Sequence, residues 1–181
     1  MIPAEFFALA QQCAPNVHPV TMAAVVHVES GLNPFAIGVV GGRLERQPRN
    51  FYEALATIRE LVRTGWNFSV GVAQVNRYQL EKRGVSYENA LDACTSLRVG
   101  GVILGECYDR AFAKSGDAQA ALQQSFSCYY SGNFSRGFAA DVPGGSSYVQ
   151  RVLSSANRIN RAAAIPLART QNTQSSQEAQ P

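Results

Sequence analysis

A chain of 181 residues, 46% of them hydrophobic, is long enough to bury one ordinary core without a metal or crosslink. Its net charge of +3 includes no block of like charge, zinc-finger spacing or basic helical stripe, so nucleic-acid binding has no motif support. No apolar run reaches the length of a membrane span, and no P-loop, dinucleotide fingerprint, nucleophile elbow or H-E-x-x-H helix is present.

The chain reads as mostly helical. A first helix covers 3–12, with Phe6, Phe7 and Leu9 facing inward, and a second runs from Val20 to Glu29. Pro19 suits its first turn, Gly31 its stop, and Asn33-Pro34 cannot continue it. Residues 31–50, rich in Gly, Pro and Asn, predict a long loop or small hairpin after that helix. An amphipathic helix follows over 51–64, with Leu55, Ile58 and Leu61 at helical spacing and Gly65 ending it. Residues 67–76 are expected to be irregular and to lead into a short helix near Arg77 to Arg83. A turn is expected at 88–93. Long helices follow over 95–114, where Gly100 and Gly101 allow close packing, and over 117–130. A loop at 132–146 precedes a last helix over 146–163. The domain is expected to span 1–163. The polar remainder, 164–181, cannot bury enough surface to order itself and is expected to be a disordered tail.

The cysteines, Cys13, Cys94, Cys107 and Cys128, allow three pairings, among which sequence does not choose. An even count fits an oxidising compartment such as the periplasm, although no signal peptide is visible at Met1-Ile2-Pro3-Ala4-Glu5. The two histidines do not fall at metal spacing with the cysteines, so neither a metal nor another cofactor is expected.

Glu29 is the most informative residue. Met22, Val25 and Val26 precede it by seven, four and three positions, which puts it on the apolar stripe of its helix. Burial and the negative end of the helix dipole both favour the protonated carboxyl, and such a group can act as a general acid near neutral pH.

Three blocks then carry a resemblance. Glu29-Ser30-Gly31-Leu32-Asn33-Pro34 with Ala36-Ile37-Gly38, Gly71-Val72-Ala73-Gln74-Val75-Asn76, and Ser127-Cys128-Tyr129-Tyr130-Ser131-Gly132-Asn133 stand in the order found in soluble lytic transglycosylases. The chain resembles that family over roughly 10–160. The segments 67–76 and 92–97, with Ser147-Tyr148-Val149, resemble its branch that cleaves peptidoglycan for type IV secretion and conjugation systems. The resemblance implies a mainly α, goose-type lysozyme-like single domain with no stable membrane insertion. Its expected partners are peptidoglycan glycan strands and secretion-system components. It implies Glu29 as the catalytic acid that also serves as base, with Ser30, Gln74, Asn76 and Tyr129 around the sugar. One departure is Tyr130, which stands where the family has asparagine. Most glycosidases need a second carboxylate. None matches here, and in that family the muramoyl sugar's own primary hydroxyl attacks instead of water. A hydrolytic lysozyme and a non-catalytic wall-binding assembly factor are the alternative readings. Trp66 and Phe68 are read as core-packing aromatics, with stacking on sugar faces as the alternative, and His27 as structural.

Overall fold

The computed structural model describes residues 2–174, with side chains through 162. The helices are α1 (Ala4–Cys13), α2 (Pro19–Glu29), α3 (Phe51–Arg63), α4 (Arg77–Lys82), α5 (Tyr87–Ala90), α6 (Ala93–Ser115), α7 (Ala118–Ser131) and α8 (Tyr148–Gln174). A 3-10 turn, Arg136–Phe138, lies between the last two. Three short strands, β1 (Ile37–Val39), β2 (Phe68–Val70) and β3 (Val75–Asn76), form one antiparallel sheet in that order. No helix among the described residues is long and apolar enough to cross a membrane.

Local chemistry explains the helix boundaries. His18 accepts from the amide of Val20 before Pro19 opens α2, and Gly31 follows the helix at φ +61°. Asn50, Asp92 and Asp117 each accept a backbone amide at the start of α3, α6 and α7. Gly116 and Gly132 close α6 and α7 in the left-handed conformation. At the start of α8, Ser147 Oγ accepts from the Gln150 amide at 3.2 Å, and Gln150 Oε1 accepts from the Ser147 amide at 2.9 Å. This reciprocal capping box fixes Tyr148 in the first turn of the helix.

Of the loop or small hairpin expected over 31–50, the loop holds: its one strand, β1, pairs across α3 with β2, Ile37 opposite Val70 and Val39 opposite Phe68. Two other local expectations are corrected. Residues 67–76 are not irregular, since Val70 also pairs with Val75 around a tight Gly71–Gln74 turn. A short helix, α5, occupies part of the turn expected near 88–93. The backbone of α8 continues beyond the expected end at 163. The side chains of the expected disordered tail at 164–181, and all of 175–181, lie outside the described residues.

Helix α2 runs through the middle of the core, with Met22 to Val26 fully buried. Of the aromatics read as packing residues, Phe68 is fully buried, whereas Trp66 is 44% exposed and lies against Gly42. His27 is exposed and bonds Ser155 of α8 at 3.3 Å, a structural contact. The cysteines pair as Cys13–Cys94, tying α1 to α6, and Cys107–Cys128, tying α6 to α7. Closing chain loops of 81 and 21 residues restricts the unfolded chain and so favours the fold.

Two glycines show how tightly the turn after β2 is seated. Gly71 holds φ +81°, and an added Cβ would run into the Ala90 carbonyl and lie 2.8 Å from Ser96 Oγ. Gly31 also has a positive φ, yet nothing lies within 4 Å of its Cβ position. Gly71→Ala should therefore cost about 3 kcal/mol or more, from backbone strain plus overpacking, and Gly31→Ala only about 1–2 kcal/mol from strain. Denaturant midpoints of the two variants measure the difference.

Candidate active site

The Gly71–Gln74 turn is where the three sequence blocks meet. From the first block, Ser30 Oγ donates to the Val72 carbonyl at 2.6 Å. From the third, the Tyr129 hydroxyl donates to the Ala73 carbonyl at 2.6 Å. Within the turn, Gln74 Nε2 donates to the carbonyls of Ala36 and Gly71 at 2.8 and 3.0 Å, and the Ala73 amide donates to Ser96 Oγ at 3.1 Å. Gly100 lets α6 approach this knot, since an added Cβ would stand 2.9 Å from both Ala73 Cβ and the Tyr129 hydroxyl. Gln74 holds its place with a left-handed backbone, φ +48°, a strained conformation of the kind concentrated at functional sites.

Glu29 ends α2 beside this knot, in a groove of about 770 Å³ whose walls include Gly38, Gln74, Asn76, Tyr129 and Tyr130. Its side chain is largely enclosed but still opens to the groove. The Tyr148 hydroxyl donates to Glu29 Oε1 at 2.5 Å. Burial raises the Glu29 pKa to about 7, against the opposing pull of that hydroxyl and of the Arg151 charge. A group titrating there holds and releases a proton near neutral pH. Burial, followed by the charge of Glu29, pushes both Tyr129 and Tyr148 well above the usual phenol range, so both remain donors. Glu106, another acid on the groove wall, is paired with Arg83 at 2.6 Å.

The predicted site residues divide by role. Glu29, Gln74, Asn76 and Tyr129 share the groove, whereas Ser30 is not on its walls and acts by pinning the turn. The Gln74 amide nitrogen is taken by backbone, leaving Oε1, which lies over Gly38, as its free polar atom. Asn76 Nδ2 donates to Asn67 Oδ1 at 2.8 Å, and its own Oδ1 caps α4.

Tyr148 was missing from the sequence-derived set. It lies 119 residues from Glu29, so no local spacing links them. The Ser147–Gln150 capping box marks its helix start, but not which helix it faces. Tyr130, the departure in the third block, supports it: the two rings stack at 4.6 Å with 13° between planes. The Tyr130 hydroxyl donates to Asp141 Oδ1 at 2.7 Å, Arg151 holds Asp141 Oδ2 at 3.1 Å, and the Arg151 guanidinium lies 5.8 Å from the Tyr148 ring centroid. The side chain at 130 thus braces the tyrosine that holds the acid.

A family model described as Transglycosylase SLT domain matches residues 6–133, a stretch that holds all three blocks and ends before Tyr148. The chain is 55% identical over 166 residues to "Type IV secretion system protein virB1" of Brucella suis biovar 1 (strain 1330), covering 91% of this chain and 68% of that protein. It is 57% identical over 158 residues to the protein of the same name from Brucella abortus biovar 1 (strain 9-941), covering 87% and 65%. It is 32% identical over 158 residues to "Protein virB1" of Agrobacterium fabrum (strain C58 / ATCC 33970), covering 86% and 61%. The chain therefore spans about two thirds of the length of these relatives. No solved structure gives a significant match.

Proposed function

The chain belongs to the transglycosylase SLT domain family, and from that premise we propose that it cleaves the MurNAc–GlcNAc bond of peptidoglycan by lytic transglycosylation. The observation that carries this reading is an enclosed carboxyl, Glu29, titrating at about 7 in an open groove whose other lining acid, Glu106, is tied to Arg83.

In the first step the Glu29 carboxyl gives its proton to the glycosidic oxygen. The bond from that oxygen to the muramoyl anomeric carbon breaks, and the electron pair leaves with the oxygen. Glu29 is then a carboxylate, and the Tyr148 hydroxyl and the Arg151 charge both favour that form. In the second step it takes the proton of the muramoyl primary hydroxyl as that oxygen bonds to the anomeric carbon. The result is an anhydromuramoyl end, a restored Glu29 acid and no consumption of water. Holding the hydroxyl within the sugar supplies the proximity term that a second carboxylate and a water would otherwise provide.

The setting we propose is the periplasm, with local opening of the wall for a type IV secretion or conjugation apparatus. Relatives named for that system and two disulfides suited to an oxidising compartment support it.

Digestion of purified wall tests the reaction. Mass spectrometry should find muropeptides lighter by one water than the products of a hydrolytic lysozyme. Reducing ends instead would establish the hydrolytic reading, and intact wall would leave the wall-binding one.

A further inference from the structure

The groove has a cationic end that the reaction above does not use. Arg110 of α6 and Arg136 of the 3-10 turn both lie on its wall, beside Ser131 and Gly132 at the end of α7. Neither makes an ion pair with a carboxylate among the described residues. The acids nearby are already committed: Glu106 to Arg83 at 2.6 Å, and Asp141 to Arg151 and the Tyr130 hydroxyl. Arg136 acts on Asp141 only as a neighbouring charge.

Arg110 is also held in place by neutral partners. Its Nε donates to the Glu106 carbonyl at 3.1 Å, and one terminal nitrogen lies 3.1 Å from Cys128 Sγ and 3.5 Å from Cys107 Sγ. Its guanidinium carbon sits 5.4 Å from the centroid of the Phe134 ring, and Lys114 Nζ lies at the same distance from that ring. The other terminal nitrogen has no hydrogen-bond partner among the described residues. A guanidinium oriented in this way has paid part of its ordering cost before a ligand arrives, and its planar fork suits a carboxylate.

We propose that Arg110 and Arg136 bind carboxylates of the stem peptide carried on the lactyl arm of the muramoyl sugar, so that the protein selects peptide-bearing over stripped glycan. This rests on the peptidoglycan reading above. The sugar backbone is itself neutral, and the stem is where such a strand carries its free carboxylates. Amidase-stripped strands offer a carboxylate of a different kind, the freed lactyl acid.

The test compares wild type with Arg110→Gln/Arg136→Gln on three forms of glycan: peptide-bearing, peptide-bearing with its carboxylates converted to methylamides, and amidase-stripped. On the first, the double variant should show KM raised about fivefold to tenfold with kcat retained, the scale of two solvent-exposed ion pairs. On the second, wild type should fall to the level of the variant. Added salt should erode the wild-type advantage, because the contacts are exposed to solvent. Equal KM values on peptide-bearing strands overturn the proposal, as does an advantage that survives methylamidation. An advantage larger on stripped strands overturns the stem assignment in favour of the lactyl acid. Anhydromuramoyl ends from wild type, and their loss in Glu29→Gln, report separately on the reaction, so a failure of that reading is not confused with a failure of this one. Melting curves of the double variant verify that it is folded.

Discussion

Glu29→Gln should lower wall cleavage by about a thousandfold or more, because in the proposed reaction Glu29 moves the proton in both steps. The same substitution should make the protein more stable at neutral and alkaline pH. The folded carboxyl titrates at about 7 against an ordinary 4.5, so the folded state holds an extra proton between those values. The stability linked to that proton is fully present below about 4.5 and is lost as pH rises through about 7. Fully ionised Glu29 costs the fold at most about 3 kcal/mol. Its opening to the groove reduces this, and a gain of about 1–2 kcal/mol for the variant is expected near pH 8. Near pH 4 the two proteins should be equally stable, since neither side chain is then charged. Gln keeps an oxygen that can accept the Tyr148 hydroxyl, which leaves charge as the variable. Denaturant titrations at the two pH values, run beside the cleavage assay, measure both effects. A loss of activity accompanied by destabilisation at pH 8 would contradict this account of Glu29.

Tyr148→Phe is the second large effect. Phe preserves the ring that stacks on Tyr130 and removes only the hydroxyl donated to Glu29. That hydroxyl favours the ionised carboxyl, so its loss should raise the Glu29 pKa further above about 7. For an acid that must begin protonated, the alkaline limb of the pH–rate profile should then move to higher pH. The carboxyl also loses the group that aims it, and a misplacement of about 1 Å is worth roughly a hundredfold in rate. A lower maximum rate with the limb displaced to higher pH is the expected pair of results. A purely structural defect would lower the rate and leave the limb in place.

The sequence reads this site unevenly, for physical reasons. Glu29 is legible because an apolar stripe at helical spacing and a glycine stop are local signals, and it stands at the end of a buried α2. The helices are legible for the same reason, since periodicity and capping residues are written within a few positions. The sheet is less so: β1 and β2 have three residues each and pair across the intervening α3, so neither carries enough alternation to announce itself. Ser30 and Asn76 show the limit of matching blocks. The match picks out residues that the fold gathers around the groove, but Ser30 bonds the Val72 carbonyl and Asn76 bonds Asn67 and caps α4. Tyr148 shows the other limit, because only the packing of α8 against α2 brings it to Glu29. The disulfides follow the same rule: four cysteines leave three pairings open until α6 is seated between α1 and α7.

The proposal that one carboxyl serves as acid and then base, with the sugar's own hydroxyl as nucleophile, is tested most directly by digesting purified wall in water enriched in heavy oxygen. Wild-type protein should release anhydromuramoyl products that carry no heavy oxygen. Muramoyl ends that have gained one heavy oxygen atom would mean that water is the nucleophile, and would contradict the proposal.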